Sequence, residues 1–266
     1  MDRKLKIIVS GGGTGGHIFP ALSIANEIKE LVPNSEILFV GAEGRMEMER
    51  VPAAGYNIVG LPIMGFPRKP GVITFKFFIN LARSMRLARR VIKQFNPDVV
   101  VGVGGYASGP ILRVAAKLKF PSVIQEQNSY AGVTNRLLAK KVNLICVAYD
   151  KMEKYFPAAK IVHTGNPVRK NLVDAIGKKE EALQFFGLSG NNKVILLVGG
   201  SLGARTLNES VMASIDLIRN SNVDVIWQTG KYYSQEIQKR MQGVDCPNLQ
   251  IHEFVSRMDF AYSVAD

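Results

Sequence analysis

The chain has 266 residues, 47% of them apolar, and a formal net charge of +12. That is enough apolar side chain for one large or two ordinary cores, and it excludes a disordered or fibrous polypeptide. The apolar run at residues 5–9 is too short for a signal peptide or a spanning helix, so no part of the chain is expected to cross a membrane. Cys146 and Cys246 stand far apart without metal-ligand spacing, which fits reduced thiols in a cytoplasmic protein and no metal site.

The opening strand, residues 5–9, runs into Gly11-Gly12-Gly13-Thr14-Gly15-Gly16-His17 and then a helix expected over 21–31. Glycines let backbone approach a ligand, and the free N–H groups that open a helix favour an anion such as phosphate. His17 adds a group able to carry a proton near neutral pH. A second strand is expected at 36–40, a short helix at 45–51 left partly exposed by Glu47 and Glu49, and a third strand at 56–60.

Between residues 66 and 95 the chain carries eight basic residues (Arg68, Lys69, Lys76, Arg83, Arg86, Arg89, Arg90, Lys93) and no acidic one. At helical spacing Phe78, Leu81, Met85, Ala88, Ile92 and Phe95 form a stripe expected to face a sheet. Val72, Phe75 and Ile79 fall on the other side, among Lys76, Arg83 and Arg86. Apolar residues mixed with cations suit an anionic membrane surface. Nucleic acid is not expected as a partner, because no aromatic stacking platform accompanies the charge.

The strand at 98–103 ends in a second glycine turn, Gly104-Gly105-Tyr106-Ala107-Ser108-Gly109-Pro110, followed by a helix at 110–118. A strand at 120–124 leads into Gln125-Glu126-Gln127-Asn128, polar residues at a carboxyl edge where open parallel sheets bind ligands. A helix at 131–141 and strands at 143–148 and 160–163 complete this half. After the hinge-like 164–169 the α/β pattern restarts, with helices expected at 179–186, 205–218 and 233–241 and strands at 193–198, 223–228 and 249–254. A third glycine turn, Gly199-Gly200-Ser201-Leu202-Gly203-Ala204-Arg205, follows the first of those strands. Two α/β units with a ligand cleft between them are the natural expectation. Three strands in the second unit, against the five or six usual for a nucleotide-binding unit, suggest a sequence cut short. A dinucleotide-binding oxidoreductase is a rival reading. It wants an acidic residue ending the second strand, where Phe39-Val40-Gly41 offers none before Glu43.

Four stretches then converge: GGTGGHIFP from Gly12, GGYASGP from Gly104, EQN from Glu126 with AGVTN from Ala131, and GNPVR from Gly165 with GGSLGAR from Gly199. In this order they resemble the MurG family, N-acetylglucosaminyltransferases that convert lipid I to lipid II in peptidoglycan synthesis. The resemblance implies a GT-B α/β fold with an acceptor and membrane-associated domain at 1–164, a hinge at 165–170 and a partial UDP-GlcNAc domain at 171–266. It implies donor contacts from Thr14, Gly15, Gly16, Asn128, Arg169 and Ser201, with Val255 beside the uracil. It also implies an undecaprenyl-linked acceptor, a peripheral place on the cytoplasmic face of the cell membrane, and no cofactor. Another lipid glycosyltransferase of GT-B type is the alternative, as is a membrane scaffold without catalysis.

Such a transfer inverts the anomeric carbon and needs a base for the attacking hydroxyl. His17 is the first candidate, its pKa expected to be lowered by the helix start, and Glu126 the second. Gly104, Gly105, Tyr106 and Ser108 are expected to shape the acceptor pocket. Val72, Phe75, Lys76, Ile79, Arg83 and Arg86 are expected to meet the membrane. The family pattern continues past the position of Asp266 with a further glycine loop, an acidic residue on the sugar and a glutamine on the nucleotide side. Without them, weak or no donor binding is expected.

Overall fold

The computed structural model describes residues 4–66, 71–168 and 177–266, with the backbone alone at 72 and 73. The chain divides into two compact units, Met1–Arg169 and Lys170–Asp266.

In the first unit seven parallel strands form one sheet: β1 (Lys6–Ser10), β2 (Glu36–Ala42), β3 (Asn57–Leu61), β4 (Val99–Gly102), β5 (Ser122–Glu126), β6 (Leu144–Val147) and β7 (Ile161–His163). Five helices accompany them: α1 (Gly15–Leu31), α2 (Glu47–Ala53), α3 (Val72–Phe95), α4 (Ser108–Lys117) and α5 (Val133–Leu138). The continuous Ile and Val runs of β1 and β4 suit strands covered on both faces. Successive residues of β1 divide between two cores. Ile7 and Val9 pack with Ile18, Ala21, Leu22 and Ala25 of α1, while Ile8 joins Ala88 and Ile92 of α3 and Ile111 and Leu112 of α4.

The strand order β3-β2-β1-β4-β5-β6-β7 reverses direction between β1 and β4. The helices that follow those two strands therefore pack on opposite faces, and the carboxyl edge between them is where doubly wound sheets bind ligands.

Three local expectations change. Helix α1 begins at Gly15, six residues before Ala21, so that His17 lies in its first turn and Pro20 inside it. Proline has no N–H for the carbonyl of Gly16, and the helix tolerates that one missing rung near its start. Of the two glutamates in α2, Glu47 is fully buried and Glu49 is exposed. In α3 the buried stripe begins at Phe77, half-buried against Phe66 with ring centroids 5.1 Å apart, while Phe78 is 56% exposed.

The second unit has three parallel strands in the order β10-β9-β8: β8 (Lys193–Val198), β9 (Val223–Gln228) and β10 (Leu249–His252). Its helices are α6 (Lys179–Phe186), α7 (Arg205–Ala213), α8 (Ile215–Arg219), α9 (Ser234–Arg240) and α10 (Met258–Val264), the expected 205–218 helix being broken at Ser214. Ile226 of β9 faces a core with Ala182, Phe186, Phe260 and Val264; Val225 and Trp227 face another with Val211 and Ile237. Trp227 is fully buried and its indole N–H donates to Asn208 Oδ1 at 3.0 Å, while Asn208 Nδ2 donates to the Thr229 carbonyl at 2.9 Å.

Asn208→Ala strands both the indole N–H and the Thr229 carbonyl in the core, at a cost of about 2 to 4 kcal/mol. Trp227 is the only tryptophan in the chain. Denaturant unfolding followed by its fluorescence reports the second unit alone and is expected to shift to lower midpoint in the variant.

Candidate functional site

At the switch point two glycine loops meet backbone to backbone. A Cβ on Gly105, where φ is +80°, would stand 2.2 Å from the Gly12 carbonyl oxygen, and one on Gly11 would stand 2.1 Å from Val103 Cγ2. Gly104, with φ +93°, lies against the imidazole of His17, where a Cβ would be 3.0 Å from Nε2. Gly104 and Gly105 combine left-handed backbone with close approach, which only glycine permits, and at Gly11 the contact alone excludes a side chain.

Two buried carboxylates hold the loops. Glu47 Oε2 accepts from the Gly13 N–H at 2.9 Å and Oε1 from the Ala42 N–H at 3.0 Å. Glu126, 1% exposed, accepts four bonds. Its Oε1 takes the backbone N–H and the side-chain amide of Asn128 at 3.1 and 3.0 Å; its Oε2 takes the Gly132 N–H and Asn135 Nδ2, both at 2.9 Å. A carboxylate has about four acceptor positions, so this one is saturated.

His17 is half-buried, with Nδ1 3.1 Å from Thr14 Oγ1. Burial lowers its pKa below the ordinary 6.5, against the opposing pull of the Glu126 and Glu47 charges. Desolvation is the largest cause of that shift and favours the neutral imidazole.

Around these groups lies a polar pocket of about 390 Å³. It brings together Thr14, His17, Gly104, Gly105, Tyr106 and Glu126 of the expected residues, and adds Arg45, Gly132 and Asn135. Asn135 is buried, and its Oδ1 has no hydrogen-bond partner among the described residues. Ser108 is not in the lining. It is fully buried, and its hydroxyl donates to the Gly105 carbonyl at 3.1 Å, so it braces the turn from behind. Gly15, Gly16 and Asn128 lie beside the lining, with Gly16 and Asn128 exposed.

Arg169, like Arg68 and Lys69, falls outside the described residues, as does the side chain of Val72. In the second unit, Ser201 is half-buried in the turn after β8, and its carbonyl accepts from the Lys231 N–H at 3.1 Å. Gly203 and Gly230 press together there: a Cβ on Gly230 would stand 2.0 Å from the Gly203 nitrogen. Val255 points into the core with Phe186 and Phe260, and its N–H donates to Gln228 Oε1 at 2.8 Å, so its side chain packs the unit's interior. On the outer face of α3, Phe75 and Ile79 are 71% and 45% exposed, flanked by exposed Lys76, Arg83 and Arg86. Among the described residues no helix is long and apolar enough to cross a membrane.

Family models match most of the chain: the glycosyltransferase family 28 N-terminal domain over residues 7–147 and the family 28 C-terminal domain over residues 194–266. The chain belongs to glycosyltransferase family 28. It is 60% identical over 264 residues to a protein of Parabacteroides distasonis named UDP-N-acetylglucosamine–N-acetylmuramyl-(pentapeptide) pyrophosphoryl-undecaprenol N-acetylglucosamine transferase, covering 99% of this chain and 72% of that one. A Porphyromonas gingivalis protein of the same name is 53% identical over 266 residues, covering 70% of its length. Among solved structures, Acinetobacter baumannii MurG superposes with a TM-score of 0.70 at 28% identity, over 98% of this chain and 72% of that one. A UDP-GlcNAc 2-epimerase of Neisseria meningitidis shares the fold at TM-score 0.65 and 17% identity, over 98% and 75%. Two parallel α/β units, one per family 28 domain, fit the GT-B architecture.

Sequence reasoning left Glu47 and Asn135 without a role. Glu47 sits in a short helix whose neighbours are charged, which hides its burial; Asn135 falls within the AGVTN motif, but nothing in its spacing reveals a buried acceptor without a partner among the described residues. In this family 28 site the loop contact tolerates no side chain. Gly105→Ala is expected to destabilise the first unit by at least about 2 kcal/mol, from left-handed strain and the clash with Gly12. Thermal unfolding followed by far-UV circular dichroism, compared with Gly44→Ala at a left-handed but open position, isolates the clash.

Proposed function

We propose that the chain transfers N-acetylglucosamine from UDP-GlcNAc to the C4 hydroxyl of MurNAc-(pentapeptide)-pyrophosphoryl-undecaprenol, with inversion, releasing UDP in peptidoglycan synthesis. The observation that carries this reading is a half-buried His17, its pKa lowered by burial, set among glycine loops in one pocket, in a chain 60% identical to a relative named for that reaction.

In the proposed step the acceptor's muramoyl sugar enters the pocket of the first unit. With Nδ1–H donating to Thr14 Oγ1, Nε2 of His17 carries the lone pair that takes the proton from the C4 hydroxyl as oxygen attacks C1 of GlcNAc. The C1–O bond to the diphosphate breaks, and negative charge grows on UDP. The glycine turn after β8, with Ser201 and the start of α7, offers N–H groups and a helix dipole to that charge. Glu126, with its acceptor positions filled, anchors the 126–135 loop, and the proton falls to His17. Asn135 Oδ1, buried at the pocket wall and without a partner among the described residues, would accept from a hydroxyl or amide N–H of the sugar. Arg45, lining the same pocket, suits the acceptor diphosphate.

The outer face of α3 would hold the enzyme on the cytoplasmic side of an anionic membrane, Phe75, Phe78 and Ile79 entering the headgroup layer. Lys76, Arg83 and Arg86 would each add about 1 kcal/mol of attraction.

His17→Ala is expected to lower kcat for GlcNAc transfer by about 10²-fold or more with little change in melting temperature. Glu126→Gln, which turns an amide toward N–H donors, is expected to lower both. Because burial depresses the His17 pKa, the base stays unprotonated at neutral pH, and the acid limb of kcat/KM is expected below pH 6.5. An acid limb unmoved in His17→Ala would reject His17 as the base. Co-sedimentation with phosphatidylglycerol vesicles is expected to fall in Phe75→Asp and to weaken as salt rises.

A further inference from the structure

The polar pocket shares a wall with a neighbouring cavity. Tyr106, Val133 and Thr134 line the pocket and also line this second cavity of about 790 Å³. Apart from Arg113 the walls of that groove are apolar or nearly so, with Ile63, Phe66, Phe77, Leu81, Leu137 and Leu138 among them. Phe66, Val133 and Leu137 at its rim are 66%, 67% and 72% exposed. Large apolar side chains grouped in this way mark a surface that a ligand or partner covers.

Tyr106 is the partition between the two spaces. Its ring lies against Gly65, where a Cβ would come within 2.7 Å of Oη, and close to Gly13, where a Cβ would be 3.9 Å from the ring. A ligand filling both spaces must carry a polar, anionic portion joined directly to a bulky hydrocarbon. A third feature fixes the direction of that hydrocarbon. Phe77, Leu81 and Met85 line the groove from the inner side of α3, exposed Phe78 lies beside Phe77 at its edge, and Phe75 and Ile79 stand on the outer side of the same helix. A chain leaving the groove thus reaches the face assigned above to the bilayer.

We propose that this groove binds the first isoprene units of a polyprenyl diphosphate, those next to its phosphates, while the diphosphate and sugar occupy the polar pocket. The proposal rests on the reading of that pocket as the acceptor site. Its physical basis is desolvation. Raising a lipid-linked sugar from the membrane into the pocket draws the nearest part of its hydrocarbon into water, and an apolar groove at that point removes the penalty. An acyl chain of a bilayer lipid would fill the groove but has no need of the shared wall at Tyr106.

The test is equilibrium binding of inorganic diphosphate, dimethylallyl diphosphate and farnesyl diphosphate to the full chain. Farnesyl diphosphate is expected to bind at least about tenfold more tightly than inorganic diphosphate, with dimethylallyl diphosphate between them. Leu137→Asp and Val133→Asp, at exposed positions, are each expected to erase most of that advantage, and Leu31→Asp, equally exposed at the end of α1, to preserve it. Equal affinity for inorganic and farnesyl diphosphate overturns the groove and spares the pocket reading. Loss of vesicle binding in the two groove variants with farnesyl diphosphate binding unchanged also overturns it, in favour of bilayer lipid. Failure of all three diphosphates to bind overturns the groove together with the reading beneath it.

Discussion

Everything at the carboxyl edge of the first sheet depends on two stretches of backbone lying against each other, the loop after β1 under the loop after β4. Gly105 rests on the carbonyl of Gly12, and neither position has room for a methyl group. Loops this poor in side chains cannot anchor themselves. Glu47 and Glu126 do it for them, each spending its charge on N–H groups of the loops or their neighbours. Buried charges are tolerable because they are so fully bonded. The result is a rigid floor of peptide dipoles with one titratable ring, His17, standing on it.

Helix α3 serves two solvents at once. Its inner side, from Phe77 through Ala88 and Ile92, closes the core over the sheet and walls the apolar groove, while Phe75 and Ile79 on its outer side stay in water among cations. The net charge of +12 is thus spatially organised. Under the reading proposed above, this basic face with its embedded aromatics would be drawn to an anionic bilayer, and its helix is fixed to the same core that carries the pocket.

Much of this was legible in the residues. Strand runs such as Ile7-Ile8-Val9 and the glycine turns behind them announce doubly covered parallel strands, because both faces need apolar cover and each strand end needs free backbone. What stayed hidden was local and physical. Pro20 looks like a boundary, and the helix runs through it for the loss of a single rung. Phe77 and Phe78 are adjacent aromatics about a quarter-turn apart, and contact with Phe66, remote in sequence, decides which one turns inward. Ser108 and Glu126 have the chemistry of ligand contacts, yet their partners, the Gly105 carbonyl and the loop amides, are set by tertiary geometry that spacing does not encode.

The proline within α1 divides that helix into two mechanical parts. From Ala21 onward the segment is packed on β1 by Ala21, Leu22 and Ala25. Ahead of it, the turn from Gly15 to Phe19 holds two glycines and lacks the rung that residue 20 would have given Gly16. Ile18 in that same turn is buried with Ile7 and Val9, so the imidazole rides on a turn weakened by one rung yet held to the sheet by one apolar side chain.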